Sequence, residues 1–146
     1  MFRTPLPASL LVALLLGCQR EDPEIQRAYA LMGIDRAVSE PQGMLITAHP
    51  PPPPSGPEEH QQRMEGYAQA EAMISAEETE RSDAPDVRIA RGVYSVLMAR
   101  EPIQMDIHQR SELNQAAFRS FEAAVADAPG DHDASWGLLM AHMLQD

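Results

Sequence analysis

The side chains able to carry chemistry are one cysteine (Cys18), five histidines (His49, His60, His108, His132 and His142), nine methionines and many carboxylates. The single thiol can form a thioether, and it has no second cysteine for an intrachain disulfide. The histidines make no His-Glu-x-x-His or other compact zinc spacing. Met105 with His108, and Met140 with His142 and Met143, offer thioether and imidazole groups of the kind that suit copper. Adjacent residues of a helix point to different faces, however, so His142 and Met143 do not converge on one ion, and methionine in a helical stripe usually fills core space. Asp131-His132-Asp133 lacks the glycine and distal glutamate of a calcium loop, and its acids fit the start of a helix. Glu58, Glu59, Glu65, Glu71, Glu77, Glu78 and Glu80 read as a solvated helical face rather than an acid–base pair. All eleven basic residues are arginine, which removes phosphate-loop, Schiff-base and Ser-x-x-Lys chemistry. The expectation is a protein that is not an enzyme, with no catalytic residue, no metal and no cofactor.

The surroundings of Cys18 are more specific. Ala8 to Leu16 is an apolar run interrupted only by Ser9, preceded by Arg3 and followed by the polar stretch Gln19-Arg20-Glu21-Asp22-Pro23. A bilayer core needs about 20 apolar residues, so this run is too short to span alone. A positive head, a short apolar centre and a small residue at Gly17 make a secretory signal. Leu15-Leu16-Gly17-Cys18 also resembles the lipobox of bacterial lipoproteins. That resemblance implies a signal peptide over residues 1–17, removal before Cys18, and lipid attachment at the Cys18 thiol with acylation of the new N-terminus. Two or three acyl chains anchor stably where one is marginal. Gln19, rather than Asp, after the cysteine implies the outer membrane, facing the periplasm.

The remaining chain must position whatever the anchor carries. Its net charge of −11 repels phosphate backbones, so nucleic acid is not an expected partner. Asp22-Pro23-Glu24 predicts a helix start, with Ile25, Tyr29 and Met32 on one face, Gly33 as a weak point and Pro41 as the end. The run Pro50-Pro51-Pro52-Pro53-Pro54 favours polyproline II, a stiff spacer of roughly 15 Å at about 3.1 Å per residue. A proline-rich ligand for an aromatic groove is the alternative. Residues 18–57 are thus expected to be a lipidated N-terminus, a short helix and a linker, and residues 58–146 a helical domain.

Ser55-Gly56-Pro57-Glu58 predicts a capping box before a long helix carrying Met64, Tyr67 and Ile74. Asp83-Ala84-Pro85-Asp86 starts the next helix, whose apolar face is Ile89, Val93, Val96 and Leu97 and which Pro102 stops. Ser111 opens a third, with Leu113, Ala117, Phe121, Ala124 and Val125 inward. Trp136, Leu139, Met140 and Met143 stripe the last one. No stretch alternates with period two, so the fold class is all-α.

Asp-Ala-Pro recurs at 83–85 and 127–129, each time between amphipathic helices, which suggests stacked helical hairpins. Ala117-x3-Phe121-x2-Ala124-x4-Pro129 resembles the second helix of a tetratricopeptide repeat, and Trp136-x2-Leu139 looks like the opening of the next unit. Met140 and Met143 depart from that family's pattern, as do Glu77, Glu78 and Glu80 before the first Asp-Ala-Pro. The resemblance implies a protein-binding scaffold. The functional expectation is therefore a lipid-anchored envelope protein serving as a helical scaffold or accessory subunit for an unidentified envelope protein. The alternative is a periplasmic carrier of metal or a small ligand through its Met and His side chains.

Overall fold

A computed structural model describes residues 22–34, 52–102 and 105–144. Cys18, the apolar run before it, and Pro50 and Pro51 of the proline run lie outside these residues. The described chain forms five helices: α1 (Pro23–Leu31), α2 (Pro57–Glu80), α3 (Pro85–Arg100), α4 (Ile107–Asp127) and α5 (His132–Met143). Helix accounts for 79% of the described residues and no strand occurs among them, so the architecture is all-α, as the sequence predicts.

The helix ends follow local chemistry. Asp22 caps α1 by accepting from the Glu24 amide at 2.8 Å, with Pro23 in the first turn. The helix closes well before Pro41. Gly33 adopts φ +81°, and its amide donates to the Ala30 carbonyl while that of Ile34 reaches back to Tyr29. This pairing ends a helix by turning the chain through the left-handed region, which only glycine enters without penalty. Gly33 is the terminator rather than a weak point inside a longer helix.

Two other starts differ from the sequence expectation. Before α2 the Ser55 amide and hydroxyl donate to Glu59, not Glu58, and Gly56 occupies the cap position. Helix α4 opens at Ile107, four residues ahead of Ser111. Asp106 accepts from the Gln109 amide at 2.8 Å while the Gln109 side chain accepts from the Asp106 amide at 3.2 Å. That reciprocal box satisfies two otherwise unpaired donors and outcompetes the later serine.

Helix α3 is the centre of the molecule. All four other helices pack on it, whereas α1 and α5 do not touch, nor do α2 and α4. No residue of α3 is exposed. Val87, Ala90, Val93 and Val96 are fully buried there, joined by Ile25, Ala28 and Tyr29 of α1, Ala70 and Ile74 of α2, and Ala117, Phe121 and Ala124 of α4. Helix α1, which the sequence reading assigns to the tether, thus shares the core with the rest.

Phe121 fills the deepest gap. A Cβ placed on Gly92 of α3 would lie 2.7 Å from its ring, and one placed on Gly137 of α5 would overlap the ring outright. An aromatic wedge seated between two glycines lets α3, α4 and α5 close around a single large side chain. This seat also sets the rotation of α5. Ala134, Gly137, Met140 and Ala141 face inward, while Leu139 and Met143 turn to solvent.

Arginines stitch the helices together along their polar edges. Arg81 joins the three helix ends nearest Asp22, Glu77 and Asp86 at 3.8, 2.8 and 3.2 Å. Arg88 links α3 to α4 through Asp127. Arg91 reaches Glu71 and Glu78 of α2 at 3.3 and 2.6 Å and lies 5.4 Å from the Tyr94 ring centre. The acidic face of α2 is therefore partly committed to pairing and is not wholly solvated.

Candidate protein-docking face

Two features stand apart from ordinary packing, one apolar and exposed, the other charged and buried. The apolar one lies on α5. Leu139 is 50% exposed and Met143 62%. The sequence reading places both in the core; the glycine seat for Phe121 directs them outward instead. Met140 alone among the large residues 139, 140 and 143 is buried, so the stripe read from spacing is divided between two faces.

The end of α5 is held against α4. Phe118 meets the His142 ring edge-on at 4.9 Å, and the Asn114 side-chain amide donates to the Leu144 carbonyl at 3.2 Å. Ile107, seven residues before Asn114 and so on the same face of α4, is 80% exposed. The three exposed large apolar side chains among the described residues, Ile107, Leu139 and Met143, therefore belong to the α4–α5 end of the molecule. Along α5 itself the only carboxylate is Asp133. On its other side α4 carries a shallow depression of about 840 Å³, whose described lining includes Met105, Gln109, Leu113 and Arg119.

The charged feature joins α2 to the end of α3. Glu101 is fully buried. Its carboxylate accepts from the Tyr67 hydroxyl at 2.7 Å and from Arg63 Nη1 at 3.2 Å to each oxygen. Its own amide closes α3 onto the Leu97 carbonyl at 3.1 Å. Burial, then the hydrogen bond and charge of Glu101, push the Tyr67 hydroxyl well above the usual tyrosine range, so it stays a proton donor. Arg63 carries the compensating charge without which a buried carboxylate is strongly destabilising. The Glu101 carboxylate is paired on both oxygens, and Arg63 also donates outward to the Pro52 carbonyl at 3.0 Å. The group is a structural rivet between α2 and the end of α3.

Nothing in the sequence near Glu101 marks it as interior. A charged residue beside a helix-stopping proline reads as surface, and its partners lie 38 and 34 positions away. Only the fold brings them together.

No known family, curated protein or solved structure matches this chain. The histidine and methionine groups can be placed directly. Met140 is buried while His142 and Met143 are exposed, so these three do not share one side of α5. Among the described residues no three His, Cys, Asp or Glu side chains converge as metal ligands. No described helix is long and apolar enough to cross a membrane.

Proposed function

We propose that this chain is a lipid-anchored protein of the bacterial envelope, attached through Cys18, whose helical body docks another envelope protein by the exposed face of α5. The outer membrane, with the body in the periplasm, is the proposed site. The observation carrying the docking reading is the outward placement of Leu139 and Met143 on a helix whose inner face is already filled. They stand beside His132, Ser135 and His142 on the outward side of α5, two large apolar groups on an otherwise polar stripe that a docked partner would cover. The anchor rests on Leu15-Leu16-Gly17-Cys18 and its lipobox resemblance. The arrangement of α3, α4 and α5, with α3 touching both successors, is compatible with a tetratricopeptide-like hairpin and supports a scaffold over a catalyst.

One experiment addresses both parts. The chain is expressed in a bacterium, labelled with a palmitate analogue, and given a photo-crosslinking residue at position 139 or at position 24. Label on the parent but not on Cys18→Ala, with a discrete crosslinked protein from position 139 alone, is the expected result. A labelled Cys18→Ala variant removes the anchor. Identical crosslinks from positions 24 and 139 remove the docking face.

A further inference from the structure

We propose that the end of the helical body where α2 meets α3 and α4 meets α5 faces the lipid surface, with the opposite end, at Glu101 and Ile107, held away from it. The proposal rests on the lipid attachment at Cys18 proposed above and adds a direction to it. Only Gln19, Arg20 and Glu21 separate Cys18 from Asp22. Four residues of fully extended chain span at most about 14 Å, so Asp22 lies no farther than that from the acylated residue.

Asp22 is a fixed point of the fold. Its side chain caps α1 and lies 3.8 Å from Arg81, and its amide donates to the Asp86 carboxylate at 3.5 Å. Behind it Ile25, Ala28 and Tyr29 are fully buried, so α1 cannot lift away to lengthen the connection without opening the core. The far end of α1 is set as well. A Cβ on Gly66 of α2 would lie 2.5 Å from the Leu31 carbonyl oxygen, so α1 runs antiparallel to α2 with the two backbones in close approach. Arg88 carries the same level across to α4, pairing with Asp83 at 3.0 Å and with Asp127. Both Asp-Ala-Pro turns, 83–85 and 127–129, therefore lie at the end nearest the anchor. Helix α2 has 24 residues, about 36 Å at 1.5 Å per residue, and its start is tied to the close of α3 by Arg63 and Glu101 at the other end.

Five carboxylates at the anchored end, Asp22, Glu77, Asp83, Asp86 and Asp127, share Arg81 and Arg88. That surplus of negative charge gives anionic headgroups nothing to attract, so chain length and not adhesion holds this end at the membrane. Helix α5 starts at the same end and runs away from it, since Leu144 returns to Asn114, well before the close of α4 at Asp127. Leu139 and Met143 thus stand on the flank of the body, and a partner that grips them approaches alongside the membrane.

The test uses the full chain made in a bacterium, purified with its lipid and placed in phosphatidylcholine vesicles that carry an energy acceptor on the headgroups. Lipidation consumes the Cys18 thiol, so one added cysteine takes the donor dye. Ser82→Cys and Gly130→Cys report on the anchored end, Gln62→Cys and His108→Cys on the other, all four at exposed positions. Transfer from 82 and 130 should exceed that from 62 and 108 at least about threefold, given about 27 Å of helix between Gln62 and Glu80. Inserting about twenty Gly and Ser residues between Glu21 and Asp22 gives a coil of roughly 25–30 Å and should bring the four values within about twofold of one another. A lipid-bearing chain with equal transfer from all four positions, or with the order reversed, overturns the orientation and leaves the anchor standing. A product without lipid, its Cys18 thiol still free, overturns the anchor and the orientation with it. A difference that survives the insertion unchanged also overturns the proposal, because chain length is then not its cause.

Discussion

Helices α1 and α5 flank α3 without touching each other, and they present opposite surfaces to water. Helix α1 buries Ile25, Ala28 and Tyr29 and exposes Glu24, Gln26 and Arg27, with Arg27 and Glu24 paired at 3.3 Å. Its outer face is finished. Helix α5 buries Ala134, Gly137, Met140 and Ala141 and exposes Leu139 and Met143 beside His132, Ser135 and His142. In arrays of stacked helices the terminal elements need a polar outer face to stand in water. By that standard the α1 end is capped, while the α5 end leaves two large apolar side chains uncovered by the described residues.

The largest effect expected is at the finished end. Ile25→Ala should cost about 2–5 kcal/mol in chemical unfolding followed by Trp136 fluorescence, because the side chain is fully buried against α2 and α3. A cost below about 0.5 kcal/mol would mean that α1 is an appendage after all, and the comparison of two ends would collapse. Next in size, Gly137→Ala should cost about 1–3 kcal/mol, since the added methyl overlaps Phe121 and forces α5 outward. Tolerance of alanine there would show that α5 is not seated as described. The smallest stability effect belongs to Leu139→Glu with Met143→Glu, within about 0.5 kcal/mol of the parent. Met143→Glu alone, in the chain that carries the photo-crosslinking residue at position 139, should abolish the crosslink expected from the α5 face. Were the double variant to destabilise as strongly as Ile25→Ala, the face would be covered by the chain itself rather than by a partner.

Much of this was legible in the residues. Asp22-Pro23 marked the start of α1, and the spacing of Ile25, Tyr29 and Met32 picked its buried face. Pro85, and the small and aromatic positions Ala117, Phe121 and Ala124, were equally clear. These are local signals or single-helix periodicities. The misread positions depend on partners far along the chain. Leu139 and Met143 satisfy every rule for interior residues, yet with Gly137 seated on Phe121 their side of α5 turns to water. Glu101 satisfies the rules for a surface residue, yet Arg63 and Tyr67 draw it inside. At α4, Asp-x-x-Gln was a readable capping pattern that the more familiar Ser111 obscured.

The seat of Phe121 has a consequence for how this sequence can drift. Positions 92, 121 and 137 form a lock in which no tumbler moves alone: a methyl at 137 demands a smaller group at 121, and a smaller group at 121 leaves a void that 92 or 137 must then fill. Such triplets change by compensation, two steps at a time, with a weakened intermediate between. Descendants of this chain should therefore carry the two glycines and the ring together or replace all three, and the rotation of α5 is inherited along with them.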